Sequence, residues 1–207
     1  AASGTPVAVD IQAGTASIDA AIDAVTATAT SSDTGSVVTT TTSGAGSVKV
    51  QIGTLTATGQ GNLIGVHATS GDGAIDIQVN SLDLAGNETA GVLATSTNGD
   101  VHIRAQDAVV RGLAYDPLGA SDAVAGISTN GAVVIEGRHL ETYGQYGSGA
   151  VALAGTTAEV TVDEAISHGE QAATLYVSGL TGATLNTGTV TATGNNAAAI
   201  NVFSGSD

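Results

Sequence analysis

The sequence predicts an all-β protein: a parallel β-helix, or solenoid, of about seven coils with three short strands per coil. Three observations point there. One phrase recurs along the chain: residues 68–77 read ATSGDGAIDI, residues 94–103 read ATSTNGDVHI and residues 128–135 read STNGAVVI. Apolar residues alternate with period two, the spacing of strands rather than helices. Those residues are mostly β-branched, with Thr runs such as Thr39–Thr42 reinforcing β structure.

The strongest element is a V/I-x-V/I strand just after each turn. It occurs at Val48-Lys49-Val50, Ile75-Asp76-Ile77, Val101-His102-Ile103, Val133-Val134-Ile135 and Val160-Thr161-Val162, with a weaker copy at Ala183-Thr184-Leu185. Successive copies are 27, 26, 32, 27 and 23 residues apart, and Val9-Asp10-Ile11 reads as an earlier relative. A second apolar column follows five residues on, at Leu55, Leu82, Ala108 or Val109, Leu140, Ile166 and Val190. A third precedes the turn, at Val38, Val66, Val92 or Leu93, Ile127, Leu153, Val177 and Val202. One coil cannot bury its own inner face, so coils must stack around a shared apolar column. With about 4.8 Å between coils, seven of them make a rod on the order of 33 Å long. Gly and Asn between the patches are expected to supply positive φ at tight corners. The step of 32 implies a loop leaving the rod at residues 115–121, YDPLGAS. The whole chain, 1–207, reads as one solenoid domain and as a fragment of a longer one, with residues 1–35 a less regular N-terminal coil or cap. There, Ile18, Ile22 and Val25 also have helical spacing, so a short helix competes over 16–27.

Composition narrows the function classes. The net charge is −15 with only four Lys and Arg, so nucleic acid and anionic lipid are not expected partners. There is no Cys, hence neither disulfide framework nor thiol chemistry. There is also no Met, and no apolar run reaches the length of a membrane span, which suits an exported chain after signal removal. A hydrophobic fraction of 42% at regular spacing argues against disorder despite the acidity.

The phrases GVLATSTNGDVHI, AGISTNGAVVI and LTATGQGNLIGVHATSGDG resemble the passenger region of bacterial autotransporters and related large surface adhesins over residues 36–203. The resemblance implies right-handed winding, export through the cell envelope and display at the surface.

Aligning coils on V-x-I stacks Lys49, Asp76, His102, Val134 and Thr161 in one outer column, and Gln51, Gln78, Arg104, Glu136 and Asp163 in another. Glu136 and Asp163 would then be neighbours, but with Arg104 alongside the set reads as a surface charge ladder rather than a catalytic pair. His67, His102, His139 and His168 have no metal-ligand spacing, and the isolated SGDG and TNGD phrases do not make a calcium roll. No cofactor, metal or catalytic residue is assigned. The T-x-T pairs Thr26/Thr28, Thr56/Thr58 and Thr191/Thr193 raise ice binding as a minor alternative, weakened by charged or interrupted slots near Asp83, Glu141 and Ser167. Tyr143 and Tyr146, with Tyr115 on the loop, form the nearest thing to a contact surface.

The expected function is a non-enzymatic cell-surface or secreted stalk or adhesin segment, concerned with display, adhesion or self-association. Its partners would be itself, end to end or laterally, or glycans and proteins of a host or cell surface. The alternative is a fragment of a carbohydrate-active β-helix lyase or hydrolase. The last coil, around Ile200 and Val202, is expected to be open, and either continued by more chain or stacked end to end as a filament.

Overall fold

A computed structural model of the chain describes residues 8–29, 35–87, 89–112 and 121–205. In chain order the strands are β1 (Val9–Ala13), β2 (Ile18–Ala29), β3 (Gly35–Thr42), β4 (Val48–Gly59), β5 (Leu63–Ser70), β6 (Ile75–Gly86), β7 (Thr89–Ser96), β8 (Val101–Gly112), β9 (Val124–Ser128), β10 (Val133–Thr142), β11 (Ala150–Ala154), β12 (Thr157–Ser167), β13 (Ala173–Gly179), β14 (Gly182–Ala192) and β15 (Ala198–Ser204). The described residues contain no helix. Odd-numbered strands form one eight-stranded sheet and even-numbered strands a seven-stranded one; all pairings are parallel. The chain is a parallel β-solenoid of about seven turns.

Each coil therefore has two strands rather than the expected three. The three apolar patches exist, but two of them share one long strand that bends without ending. In β6, Ile75, Ile77 and Val79 point inward, Asn80 and Ser81 both point outward, and Leu82 and Leu84 point inward again. β8 repeats this with Val101, Ile103, Ala105, then Ala108 and Val110. The parallel ladder skips one residue at the bend and resumes at once, so hydrogen bonding carries through the corner. The short strands also skip one ladder residue, at Val37, Gly65 and Gly91; past that skip they run straight and form the flat side of the solenoid, and the two legs of the long strands form the others.

Register settles the columns. Val50, Ile77, Ile103 and Ile135 stack as expected and are fully buried. The next member is Val160, not Val162, which lies opposite Gly137. The turn before β12 is shorter, so Ala158 takes the first inward slot opposite Val133. The second column runs Leu55, Leu82, Ala108, Leu140, Ala165 and Val190, leaving Val109 and Ile166 outside. The column before the turn runs Val38, Val66, Val92, Val124, Ala150, Leu175 and Ile200. Ile127 and Leu153, expected inside, point outward because the buried corner residue Ser128 sets the parity, and period two then puts Gly126 and Val124 inside. Val177 and Val202 do belong to an inner column, two residues further along. Val9 and Ile11 pair with Val38 and Thr40 in the flat sheet, so the first-coil copy of V-x-I is Ile18-Asp19-Ala20, opposite Val48-Lys49-Val50. Ile18, Ile22 and Val25 lie in strand β2 rather than a helix: pairing with the next coil outweighs their local helical spacing.

The recurring phrase is one corner read layer by layer. Its Ser or Thr turns inward and ties the corner: Ser96 Oγ accepts from the Gly99 N–H at 2.9 Å and donates to the Gly73 carbonyl at 3.2 Å. Ser128 repeats this with Gly131 and Gly99 at 2.9 and 2.8 Å. Its Asn or Asp points outward into a ladder in which Asn98 donates to Asp72 and Asn130 donates to Asn98. Its Gly is there for space, not for positive φ. Among the described residues only Gln171, Asn196 and Gly205 have left-handed φ. A Cβ on Gly73, Gly99 or Gly131 would instead overlap the carbonyl of the equivalent glycine one coil back, at Gly46, Gly73 and Gly99.

Of the loop expected at 115–121, residues 115–120 lie outside the described residues, and Ser121 is buried rather than leaving the rod. At the other end, Ile200 and Val202 are each 43% exposed.

Two substitutions test this packing. Ile103→Ala should cost about 2–5 kcal/mol through lost burial and a residual cavity. Gly99→Ala should cost about 1–3 kcal/mol or more by forcing two coils apart. Both are read by chemical denaturation, and a neutral Gly99→Ala would contradict the close approach.

Candidate contact surface

Two charged clusters lie on the long-strand sheet, one on each leg. The first leg carries the predicted ladder. Lys49 lies beside Asp76, and Arg104 beside Glu136, on neighbouring strands. Arg104 reaches both ways, to Asp76 at 2.8 Å and to Glu136 at 3.1 Å. His102 closes the group, with Nε2 3.2 Å from Glu136 and Nδ1 2.8 Å from an Arg104 nitrogen. Glu136 and Asp163 do not stack. Glu136 faces Thr161, and Asp163 falls at the bend near Arg138 because of the two-residue offset. All four groups of the cluster are substantially exposed, so each pair contributes at most about 1 kcal/mol.

The second leg builds a denser cluster. Its two outward columns run Thr26, Thr56, Asp83, Val109, Glu141, Ile166, Thr191 and Thr28, Thr58, Ala85, Arg111, continuing through Tyr143, His168 and Thr193. All three T-x-T pairs thus occupy one pair of columns, with a different patch between them. Ser167 is buried and points inward; Ile166 and His168 fill the slots expected near it. Tyr143 stacks on His168 with ring centroids 4.3 Å apart, and the Arg111 guanidinium lies over the Tyr143 ring at 5.9 Å. Arg111 also pairs with Asp83. Glu141 receives the Tyr143 hydroxyl at 2.8 Å and lies 2.9 Å from His168 Nε2 and 3.4 Å from His139 Nε2. His139 Nδ1 is 2.8 Å from Glu164 on the next strand. Burial alone would push the Glu141 carboxyl up, but its bonds to His168, Tyr143 and His139 outweigh this and hold it below the usual carboxylate range. The same Glu141 bond raises the Tyr143 phenol.

Of the three expected contact residues, Tyr143 is central to this cluster and 44% exposed. Its ring contacts His168 and Arg111, so what it offers a partner is mainly edge and hydroxyl rather than an open stacking platform. Tyr146 is half-buried in the following turn, and Tyr115 lies outside the described residues. From the sequence, Glu141 stood only as a charged slot and His168 only as one of four scattered histidines, and Arg111 had no role. The signal for them is a second glycine column, Gly144, Gly169 and Gly194: a Cβ on Gly169 or Gly194 would meet the carbonyl of the glycine one coil back, and one on Gly144 the Ser121 side chain. Aligning on those glycines puts Tyr143, His168 and Thr193 in register.

A buried carboxylate at the β8–β9 corner was also missed. Asp122 is 8% exposed and accepts the Ser148 N–H at 2.8 Å. Burial pushes it from its ordinary 3.8 up to about 6, against the opposing pull of that bond. Among the described residues no three His, Asp or Glu side chains converge as a metal site requires.

Fold and surface together define a parallel β-solenoid with charged ladders along its bent sheet. Comparison with protein-family models, with curated proteins and with solved structures finds no match.

Asp122 sets a pH dependence. Its carboxyl binds a proton more tightly in the folded chain than in the unfolded one. The folded state is therefore favoured below the unfolded value of 3.8, and that advantage is lost as pH rises through about 6. Asp122→Asn keeps an acceptor for the Ser148 N–H. It should remove roughly 2–3 kcal/mol of the stability change between pH 4 and 8, measured by urea titration of both proteins across that range.

Proposed function

We infer that the chain is a non-enzymatic β-solenoid segment of a cell-surface or secreted protein, acting as a stalk or adhesin scaffold. The observation that carries this reading is where the polar chemistry is directed. Arg104 bonds to Asp76 and Glu136, Arg111 to Asp83, Arg138 to Asp107, His139 to Glu164 and His168 to Glu141. Each of these contacts joins one coil to its neighbour. Thr69 to Thr41 and Asn130 to Asn98 do the same with neutral groups. Side chains an enzyme would aim at a substrate are engaged in holding adjacent layers in register. The phrases that resemble autotransporter passengers, and the absence of Cys, support export and surface display.

A rod of this kind works by length and stiffness. Every inner coil is tied to two neighbours by continuous parallel ladders, so load along the chain is resisted coil by coil. Single-molecule stretching between the termini should give a series of events, each releasing roughly one coil of chain, on the order of 9 nm. A panel of acidic and neutral polysaccharides should meanwhile show no new reducing ends or unsaturated sugars. Turnover that is lost in Glu141→Gln or Glu136→Gln would replace this reading with the carbohydrate-active one.

A further inference from the structure

The flat side of the solenoid has a property that no other side shares. Its outward residues fall in two columns. One runs Asp10, Thr39, His67, Leu93, Ala125, Val151, Tyr176 and Asn201; the other runs Gln12, Thr41, Thr69, Thr95, Ile127, Leu153, Ser178 and Phe203. Only Asp10 and His67 in these columns carry a side chain that charges near neutral pH, and burial holds His67 below its usual range, which favours its uncharged form. All four Lys and Arg, at 49, 104, 111 and 138, sit on the long-strand sheet, as do Asp76, Asp83, Asp107, Asp163, Glu136, Glu141, Glu159 and Glu164. From β7 onward the flat face is also apolar, through Leu93, Ile127, Val151, Leu153, Tyr176 and Phe203. Tyr176 and Phe203 pack at 5.5 Å, and Phe203 is 53% exposed. A shallow trough of about 350 Å³ crosses the edge of this region, lined by Ile127, Leu153, Ser178 and Leu180 among others.

We propose that this face is a self-docking surface on which a second copy of the chain lies face to face. Charge selects the occupant. Two molecules of net charge −15 repel, and contact through the long-strand sheets would set carboxylate against carboxylate. The flat face is the side on which two copies can meet without opposing charges. All-parallel sheets are ordinarily covered on both faces; here one face packs on the core, and on the other, among the described residues, Phe203 is exposed, Ile127, Val151, Leu153 and Tyr176 are half-buried, and the small Ala125 is buried. Sheets stack face to face about 10 Å apart, which side chains such as Leu153 and Tyr176 can fill. With strands about 4.8 Å apart and the two columns roughly 7 Å apart, the eight-strand face covers roughly 500 Å² per copy, so roughly 1,000 Å² in total, the lower limit of a specific interface. The dimer is therefore weak and forms where copies are crowded. In that respect it rests on the scaffold reading above, in which a surface array supplies the crowding.

Sedimentation from about 1 µM to about 500 µM tests it, at about 20 mM and about 500 mM salt. The expected result is a reversible dimer at high concentration that tightens at least about tenfold with salt, because salt screens the −15 charges while the contact itself has no ion pairs to lose. Ile127→Asp with Leu153→Asp should weaken it at least about tenfold. Thr161→Asp, on the first leg of the long-strand sheet, should not. Since the chain has no Cys, Leu153→Cys treated with a short bismaleimide should give covalent dimer, and Thr161→Cys should not. That arm decides the matter if the double Asp variant fails to fold. A monomer at every concentration and salt, a dimer weakened equally by Thr161→Asp, or a monomer that pellets with phosphatidylcholine vesicles through this face would overturn the proposal. A monomer leaves the stretching result intact, and polysaccharide turnover leaves the dimer intact, so the two readings fail separately.

Discussion

Everything in this chain depends on the spacing between parallel coils. Backbone hydrogen bonding sets that spacing near 4.8 Å, and each side chain must fit within the layer it is given. Inside, the limit selects Val, Ile, Leu and Ala, which fill a narrow column without aromatics. At the corners it selects glycine, because the preceding coil's carbonyl occupies the space a Cβ would need, as at Gly73 and Gly99. Outside, it brings each polar side chain within reach of its counterpart one layer away, so ladders such as Asp72, Asn98 and Asn130 form with little rearrangement. The repeated phrase serves all three demands at once.

The same constraint organises charge. A chain with −15 net charge in a stacked array would repel itself layer by layer if like charges lined up. The few cations are placed where they relieve this. Arg104 stands between Asp76 and Glu136, Arg111 next to Asp83 and Arg138 next to Asp107. His139 and His168 place ring nitrogens against the Glu141 carboxylate from two sides. These exposed pairs add little stability individually. Their larger effect is on register: a slip of one residue would turn each charge inward and each core residue outward. Asp122 departs from the pattern as a carboxylate held inside at a corner, where its protonation is coupled to folding.

Much of this was legible in the sequence, and the failures share a cause. The V-x-I strand placed Val50, Ile77, Ile103 and Ile135 correctly, because strict alternation on both sides of a constant turn leaves one register. Where the turn changed length, before β12, matching residue type put Val162 in a slot that belongs to Val160. Ile127 and Leu153 look like core in one dimension, yet Ser128 at the corner sets their parity and turns them outward. The bend inside each long strand was invisible as a bend: two apolar patches with a doubled outward residue between them read as two strands. The Glu141 cluster draws on neighbouring coils, so no local motif marks it, and Tyr143 was noticed without its partners. In each case side-chain type was readable and parity was not, because parity is set at the corners.

If stability resides in contacts between neighbouring layers, it should vary along the rod rather than being shared equally. Native-state hydrogen exchange, resolved by residue, tests this most directly. The account predicts strongest protection in β6, β8 and β10, which have layers packed on both sides, with protection falling toward β2 and β14. It also predicts that disturbing the corner at Gly99 lowers protection most in the two adjoining coils and progressively less beyond them. Uniform protection over all strands, or uniform loss after that disturbance, would mean that the molecule unfolds as one unit and would contradict a structure built on nearest-neighbour stacking.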